Sequence, residues 1–324
     1  MILAGDVGGT KVRLALFDEK GGKQFADEQK FASRDYADFG ALLKQFLSQE
    51  KGQKISRASF GVAGPVQDGV CKATNLPWVI SAKDLEEKLK MPKVHLINDL
   101  EANAWGLRCL SDEEFFNVNI GKDEKGNQAL ISAGTGLGEA GLYWDGKSHQ
   151  PFATEGGHCD FAPTNPEDIE LLLYFKRHFS HVSYERILSG SGLYQLYRFL
   201  VDTKREKEDP SVQALLQQKE PQRVITERGV SGACKACARA CLLFTELYGA
   251  EAGNTALKFF AVGGVFIGGG IAPHLVSFFQ QGNFMKEFVN KGRFSSLLMN
   301  IPVKIVLNEK TALLGAARYA QEKG

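Results

Sequence analysis

Near the N-terminus, a short segment has the residue types needed to bind phosphates. Asp6-Val7-Gly8-Gly9-Thr10 separates two apolar runs. Glycines allow positive φ angles and let peptide N–H groups approach phosphate oxygens, and a nearby carboxylate can hold Mg²⁺ through its waters. The segment is therefore a candidate phosphate loop, with Asp6 as the magnesium carboxylate. An ordinary Gly-Gly hairpin turn is the alternative interpretation.

Two further glycine-rich segments lie downstream. Gly134-Thr135-Gly136-Leu137-Gly138 is suited to binding a β- or γ-phosphate. The run from Gly263 to Pro273 contains Gly268 and Gly269, and can lie flat against a purine or ribose because no side chain intervenes. A close-packed sheet corner is the alternative for that run. Residues 136–141 also spell GxGxxG, but a strand and a turn follow instead of a helix, which argues against a dinucleotide fold.

A carboxylate also stands at the end of a predicted strand. Asn98-Asp99 follows the run from Val94 to Ile97 and precedes a predicted helix. Asp99 is a candidate helix N-cap and also a candidate general base, since α/β sheets place ligands at the carboxyl ends of their strands. The two roles are compatible, because a cap position fixes the direction of a carboxylate.

Two loops supply groups suited to a polyhydroxylated ligand. Glu155 and His158 lie in one loop and Glu185 in another. A sugar hydroxyl donates to a carboxylate and accepts from an imidazole or amide N–H. Metal binding is the rival interpretation and is disfavoured, because no second histidine follows His158 at the spacing of one helical turn. Cys234, Cys237 and Cys241 are predicted to be buried thiols on a packed helix face.

The elements that position these groups alternate between strands and helices, which predicts an α/β fold with mixed or parallel sheets. Strands are predicted at 2–7, 12–17, 57–63 and 93–97, and helices at 39–50, 82–90 and 100–107. The strand, glycine turn and strand of residues 2–17 recur from residue 128, which suggests two related lobes sharing a cleft. The predicted domains are 1–109 with 303–324, and 110–302.

Composition narrows the functional classes. The chain has 324 residues, with 39 Lys and Arg against 38 Asp and Glu, so neither nucleic acid nor an anionic membrane is an expected partner. The apolar run from Phe259 to Phe279 is broken by glycines and Pro273, and is predicted to be a buried strand and turn rather than a membrane span. Six cysteines among apolar or small residues indicate a reduced, cytoplasmic protein. Residues 202–224 are predicted to be a solvated surface excursion.

Taken in order, these segments resemble those of the bacterial glucokinases, hexose kinases of the hexokinase, Hsp70 and actin superfamily. The resemblance runs almost end to end and includes Leu96-Ile97-Asn98-Asp99 and Thr74-Asn75-Leu76-Pro77-Trp78. It implies a two-lobed actin-like (ribonuclease H-like) ATPase fold, each lobe a mixed sheet flanked by helices. The cysteine-rich zinc motif of the related repressor and kinase family is absent from the sequence, which favours the zinc-free group.

The resemblance implies that ATP and Mg²⁺ phosphorylate the 6-hydroxyl of D-glucose, and that the protein is a homodimer. Asp99 would be the general base. The implied sugar-binding residues are Asn98, Glu155, His158, Glu185, Thr74 and Asn75. The implied nucleotide-binding residues are Asp6, Gly8, Gly9, Thr10, Gly134, Thr135, Gly136, Gly268 and Gly269. A kinase for fructose, mannose or an N-acetylhexosamine is an alternative function, and a sugar-independent actin-like ATPase is a second one.

Overall fold

The structure is a computed structural model that describes residues 1–19, 25–50, 54–73 and 77–323. The chain divides into two compact units, Met1–Asp112 with Asn308–Gly324, and Glu113–Leu307. The strands are β1 (Ile2–Val7), β2 (Lys11–Phe17), β3 (Phe25–Ala32), β4 (Arg57–Val62), β5 (Val66–Gln67), β6 (Val70–Lys72), β7 (Val79–Ser81), β8 (His95–Asn98), β9 (Phe115–Asn119), β10 (Gln128–Ala133), β11 (Leu137–Trp144), β12 (His149–Thr154), β13 (Val265–Gly268) and β14 (Val303–Val306). The helices are α1 (Phe39–Gln49), α2 (Ala82–Leu89), α3 (Asp99–Leu107), α4 (Pro166–Phe175), α5 (Tyr184–Ile187), α6 (Gly190–Asp202), α7 (Pro210–Leu216), α8 (Pro221–Val230), α9 (Lys235–Phe259), α10 (Val276–Phe279), α11 (Asn283–Val289), α12 (Ser295–Met299) and α13 (Thr311–Lys323).

The first unit is built on a mixed sheet of order β3-β2-β1-β4-β8. β1 pairs antiparallel with β2 and parallel with β4. Because side chains alternate along a strand, β1 contributes to a core on each face of the sheet. Leu3 packs in the cluster that contains α1, whereas Ile2 and Ala4 pack in the cluster that contains Leu313 of α13. Helices therefore cover both faces, as the α/β prediction requires.

The second unit repeats this plan. Its sheet has the order β12-β11-β10-β13-β14-β9, in which β10 pairs antiparallel with β11 and parallel with β13. The first five strands match the order and directions of the first sheet, and β9 is an addition. The predicted recurrence of strand, glycine turn and strand is thus present in β10 and β11. β14, which the sequence-based division places with the first domain, pairs with β13 and belongs to the second unit.

Several predicted elements are confirmed to within two residues, namely β1, β2, β4, β8, α1, α2 and α3. The excursion at 202–224 is more ordered than predicted: it contains α7 and the start of α8, with Val212 and Val224 fully buried. The run from Phe259 to Phe279 contains β13, a glycine turn and α10, as predicted. Among the described residues, no helix combines the length and apolarity needed to cross a bilayer.

The small-faced helices α3 and α13 cross within the first unit. A Cβ atom added to Gly106 would lie 1.9 Å from the carbonyl oxygen of Thr311, and one added to Gly315 would lie 1.7 Å from that of Ala102. Such backbone contacts leave room only for hydrogen at these two positions. The alanine and glycine pattern of the two sequence segments therefore reflects a close helix crossing that holds α13 beside α3, the helix that bears Asp99.

Gly315→Ala is expected to destabilise the first unit by about 1–3 kcal/mol, the usual cost of overpacking a core, because the two backbones must separate. A fall of several degrees in the midpoint of thermal unfolding would measure it. Gly40→Ala in α1 is the matched control, because its new methyl group would meet the movable end of Lys88. An unchanged midpoint for Gly315→Ala would contradict the prediction.

Candidate active site

The first glycine turn joins β1 to β2 and is tightly closed. The Gly8 N–H donates to the carbonyl of Lys11 (3.0 Å), and Ser33 Oγ donates to the carbonyl of Gly8 (3.0 Å). Within the described residues, the N–H groups of Gly9 and Thr10 donate to no protein acceptor. Two amides are therefore held in a rigid turn with their hydrogen-bonding capacity unused, which suits a phosphate oxygen.

Asp6 lies on β1 directly opposite Arg13 in the antiparallel register. It is partly buried, and desolvation raises the pKa of its carboxyl to about 6, although the charge of Arg13 opposes this shift. Arg13 also donates to the backbone carbonyl (3.0 Å) and the carboxylate (2.9 Å) of Glu309. A further cation near Asp6 would stabilise the ionised form of its carboxyl. The ionised carboxylate supplies the kind of oxygen ligand that a hydrated Mg²⁺ prefers.

Asn98 and Asp99 lie at the junction of β8 and α3, and the structure divides their roles. Asn98 is the N-cap: its Oδ1 accepts from the N–H groups of Leu100 (2.8 Å) and Glu101 (3.4 Å), and its Nδ2 donates to the carbonyl of Gly64 (3.1 Å). The interpretation of Asp99 as the N-cap is therefore wrong by one residue.

Asp99 is the first residue of α3, and its Oδ1 also accepts from the Leu100 N–H (3.0 Å). A carboxylate in the first helical turn is favoured by the helix dipole. The thiol of Cys71 is buried nearby, and its pKa is raised first by desolvation and then by the charge of Asp99. Nothing in the sequence pattern indicated that Cys71 and Asp99 are close.

Thr74 and Asn75, two of the predicted sugar-binding residues, lie outside the described residues.

The second glycine turn joins β10 to β11. The Gly134 N–H donates to the Gly136 carbonyl (2.8 Å), and the Gly190 N–H at the start of α6 donates to the Gly134 carbonyl (2.9 Å). In the part of the chain that the structure describes, the amides of Thr135 and Gly136 have no protein acceptor. The turn therefore offers a second pair of unused amides, in a sheet that repeats the order of the first.

The structure brings Glu155, His158 and Glu185 together in the second unit. His158 Nε2 lies 3.5 Å from Glu185 Oε1, and His158 Nδ1 lies 4.0 Å from Glu155 Oε2. Their two segments pair locally, because the Tyr184 N–H donates to the Cys159 carbonyl (3.1 Å). The side chains of Glu155 and His158 are 66% and 59% exposed and that of Glu185 is 29% exposed, so the cluster is open to a ligand.

Glu185 also connects this cluster to the second glycine turn. Its Oε2 accepts the N–H of Leu137 (3.0 Å), and a Cβ atom on Gly136 would lie 2.4 Å from the same oxygen. A cavity of about 220 Å³ adjoins the cluster and is lined by both His158 and Glu185, together with His178, Phe179, Ser180, His181, Ser183 and Arg186. One carboxylate therefore contacts the imidazole of the candidate sugar site and the backbone of the candidate phosphate turn.

The third glycine segment meets the end of β10. Gly269 has φ +83°, and a Cβ atom there would lie 2.1 Å from the carbonyl oxygen of Ala133. Gly268 is the last residue of β13. Gly269 is thus required by packing, as the sheet-corner alternative states, while a Cβ on Gly270 would meet no atom within 4 Å. This packing brings the segment directly beside the second glycine turn.

Two residues near these turns escaped the sequence analysis. Tyr248 on α9 is buried, accepts from the Ala133 N–H (3.1 Å) and donates to the Ile131 carbonyl (3.1 Å), so it anchors the end of β10. Glu139 on β11 is also buried. An aromatic residue on an apolar helix, such as Tyr248, gives no sign in the sequence that its hydroxyl will bond a strand.

Cys234, Cys237 and Cys241 are buried free thiols, as predicted, and the described residues contain no cluster of three or more metal-ligating side chains.

Comparison with known proteins gives one consistent answer. A family model described as Glucokinase matches residues 3–323. A glucokinase of Nostoc sp. is 37% identical over 337 residues, covering 99% of this chain and 98% of that one. The crystal structure of a glucokinase from an Antarctic psychrotroph is 30% identical, with a TM-score of 0.84 and 99% of both chains covered. A glucokinase from Balamuthia mandrillaris, solved in complex with glucose, shares the fold with a TM-score of 0.85 at 23% identity, over 99% of this chain and 93% of that one.

Proposed function

The chain belongs to the glucokinase family, and from this we propose how its residues divide the phosphorylation of D-glucose by ATP between them. The enzyme is an ATP-dependent kinase that transfers the γ-phosphate to the 6-hydroxyl of glucose, giving glucose 6-phosphate for glycolysis and ADP. The observation that carries the proposal is the contact of Glu185 with both His158 and the N–H of Leu137. Through it, a hydroxyl-binding cluster adjoins a turn with unused amides.

We propose that Asp99 is the general base. The oxygen of the 6-hydroxyl attacks the γ-phosphorus in line, and its proton passes to the Asp99 carboxylate. Phosphoryl transfer proceeds through a loose transition state, so the protein contributes mainly positioning and charge stabilisation. The hydrogen bond from the Leu100 N–H to Oδ1 supports this role, because it fixes the orientation of the carboxylate.

The glucose hydroxyls are proposed to bind Glu155, His158 and Glu185, whose carboxylates accept and whose imidazole either donates or accepts. Asn98 caps α3 through its oxygen and donates one amide hydrogen to Gly64, which leaves a second amide hydrogen for a sugar hydroxyl. Thr74 and Asn75 remain predicted sugar-binding residues from the family resemblance.

The nucleotide is proposed to bind the three glycine segments. The unused N–H groups of Gly9, Thr10, Thr135 and Gly136 would donate to phosphate oxygens, with Gly8 and Gly134 shaping the two turns. Gly268 and Gly269 would lie against the adenosine. Amides that are already oriented stabilise developing charge without reorganising, which is the main source of electrostatic catalysis.

The Mg²⁺ that accompanies ATP is proposed to be held through water by the carboxylate of Asp6. When bound, the ion neutralises charge on the transferring phosphoryl group. The fit rests on the donor set: Asp6 is a carboxylate, and Thr10 adds an exposed hydroxyl four residues further on. Oxygen donors of this kind are those that Mg²⁺ prefers.

Asp6→Asn is therefore expected to raise the Mg²⁺ concentration required for half-maximal activity by about tenfold, as for loss of one hydrogen bond to a charged group. The KM for glucose should change little, since the sugar cluster is unaltered. Titration of activity with Mg²⁺ at saturating ATP and glucose measures the effect. Asp18→Asn, in which an acid just beyond β2 is replaced, is the control. An unchanged Mg²⁺ requirement for Asp6→Asn would contradict the role.

The direct test of the function is a coupled assay of glucose 6-phosphate formation, with and without ATP, across a panel of hexoses. The expected result is ATP-dependent phosphorylation with the highest kcat/KM for glucose. A higher kcat/KM for fructose, mannose or an N-acetylhexosamine would show a different hexose kinase. ATP hydrolysis that is independent of sugar would instead indicate an actin-like ATPase.

We further propose a cytoplasmic homodimer, as the family resemblance implies. All six cysteines are free thiols, which suits a reducing compartment. Sedimentation equilibrium should give twice the 35.5 kDa mass of the chain. A monomer mass at micromolar concentration would contradict the dimer.

A further inference from the structure

Glu139 is a buried acid that the proposed mechanism does not use. Its side chain is on β11, two residues after Leu137, and the residue is 1% exposed. Neither carboxyl oxygen accepts a hydrogen bond from a donor among the described residues. An ionised carboxylate in such a place loses its hydration without compensation, so the neutral acid is strongly favoured.

A second buried acid lies against it. Glu251 on α9 is 0% exposed and is fully paired: its Oε1 accepts from Lys258 Nζ (3.1 Å) and its Oε2 from Asn254 Nδ2 (2.8 Å). Two ionised carboxylates can only accept hydrogen bonds, so contact between them requires a proton on one. Glu251 keeps the charge, because Lys258 and Asn254 donate hydrogen bonds to its carboxylate. Glu139 therefore carries the proton and is a neutral acid beside the charged Glu251.

The same carboxyl group lies directly beneath the sugar-binding loop. A Cβ atom on Gly156 would be 2.3 Å from Glu139 Oε2. The backbone of Glu139 pairs with Thr154, the last residue of β12, and Thr154 Oγ1 accepts from the Gly156 N–H (3.2 Å). Glu139 thus supports the segment that begins at Glu155 and includes His158 in two ways. Its carboxyl group packs against Gly156, and its backbone pairs with Thr154, the residue that precedes the segment.

We infer that Glu139 is a positioning residue for glucose: as a neutral acid packed beneath Gly156, it supports that glycine and so keeps Glu155 and His158 in their binding positions. This inference rests on the proposed function, because it assumes that these two residues bind the sugar. Glu139 acts through the loop and does not touch the substrate.

The titration of Glu139 is expected to make the binding of glucose depend on pH. Burial and the neighbouring charge of Glu251 raise the pKa of Glu139 to about 8, and Lys258 opposes the shift. Three other titratable groups interact with this pair, namely Tyr248 on α9, Tyr184 on α5 and Lys291 just after α11. Burial raises the pKa of both phenols far above 8, and burial lowers the pKa of Lys291, a shift that the charge of Glu251 opposes. Above pH 8, Glu139 would be a second buried carboxylate beside Glu251, whose charge already interacts with Lys258 and Lys291, and the support beneath Gly156 would change.

The test is the pH dependence of the kinetic constants of the full-length enzyme from pH 7 to 9.5. For the wild type, we expect the KM for glucose to rise about fivefold with a midpoint near pH 8, an effect of the size of one lost hydrogen bond, with kcat changing less. Glu139→Gln retains the shape and neutrality of the protonated acid. Its KM should match the wild type at pH 7 and stay flat up to pH 9.5.

Two further variants keep the result interpretable. Glu251→Gln removes the charge that raises the pKa of Glu139, so the midpoint should move to lower pH. Glu227→Gln is the control, because it changes an exposed acid of α8 that pairs with Arg223 (2.7 Å). A Glu139→Gln profile that follows the wild type would overturn the inference, as would a Glu139→Gln variant that folds but has a strongly raised KM at pH 7. Failure of the proposed sugar site would appear separately, as an unchanged glucose KM in His158→Ala.

Discussion

Replacing Asp99 by Asn is expected to lower kcat by about 10²–10⁴-fold, the usual contribution of a general base. The amide has the shape of the carboxylate and can still accept the Leu100 N–H. It cannot take the proton of the 6-hydroxyl at neutral pH. Glucose binding should be weakened but still measurable by titration calorimetry, because the cluster of Glu155, His158 and Glu185 remains. Steady-state turnover at saturating glucose and ATP measures the loss.

The matched control for this variant is Glu101→Gln. It removes a carboxylate from the same first turn of α3, so its effect on the helix dipole is similar. Its turnover should stay near that of the wild type. Near-normal turnover in Asp99→Asn would eliminate Asp99 as the base, whereas an equal loss in both variants would point to damage to α3.

Glu185→Ala is expected to lower kcat/KM for glucose by about 10²-fold or more, because hydrogen bonds to a charged group are worth roughly 1.5–3 kcal/mol each, and the bond from the Leu137 N–H is lost together with the proposed bond from a glucose hydroxyl. Removal of the side chain leaves the Leu137 N–H without its acceptor and His158 without its nearer carboxylate. Since Leu137 follows the second glycine turn, the KM for ATP should rise as well. The combined rise in both KM values distinguishes this residue from one that contacts the sugar alone.

Glu185→Gln separates the two contacts, because its amide oxygen can still accept the Leu137 N–H. This variant should raise the KM for glucose and leave the KM for ATP near the wild-type value. Asp160→Asn is the control: it lies in the segment paired with that of Glu185, and its exposed carboxylate bonds His181 (2.8 Å). A Glu185→Ala variant with unchanged kcat/KM for glucose would refute the assignment of the sugar cluster.

The segments most easily predicted were those whose chemistry is local. A glycine turn between two apolar strands requires only neighbouring residues, and the first two turns were found where the sequence placed them. Boundaries were less certain: Asn98 and Asp99 are both good N-caps, so only the backbone decided that Asn98 caps α3. The assignment of β14 to the second unit likewise depends on its pairing with β13, which no local pattern encodes.

The burial of Glu139 could not be predicted from the sequence either. The period of a strand indicates which residues share a face, but not whether a helix covers that face. Here α9 lies over the face and brings Glu251 to Glu139, two residues separated by more than a hundred positions in the chain. The hydrogen bond from Leu137 to Glu185 is long-range in the same sense.

The sequence by itself determined the alternating α/β order, the glycine turns, the strand and helix that present Asp99, and the types of group available to a sugar and a nucleotide. These follow from backbone sterics, side-chain period and the chemistry of single residues. Tertiary structure alone decided that Glu185 contacts both His158 and Leu137, that Glu139 is shielded from solvent, and that the hydroxyl of Tyr248 bonds the end of β10. Those properties depend on distances and desolvation, which exist only once segments far apart in the chain have packed together.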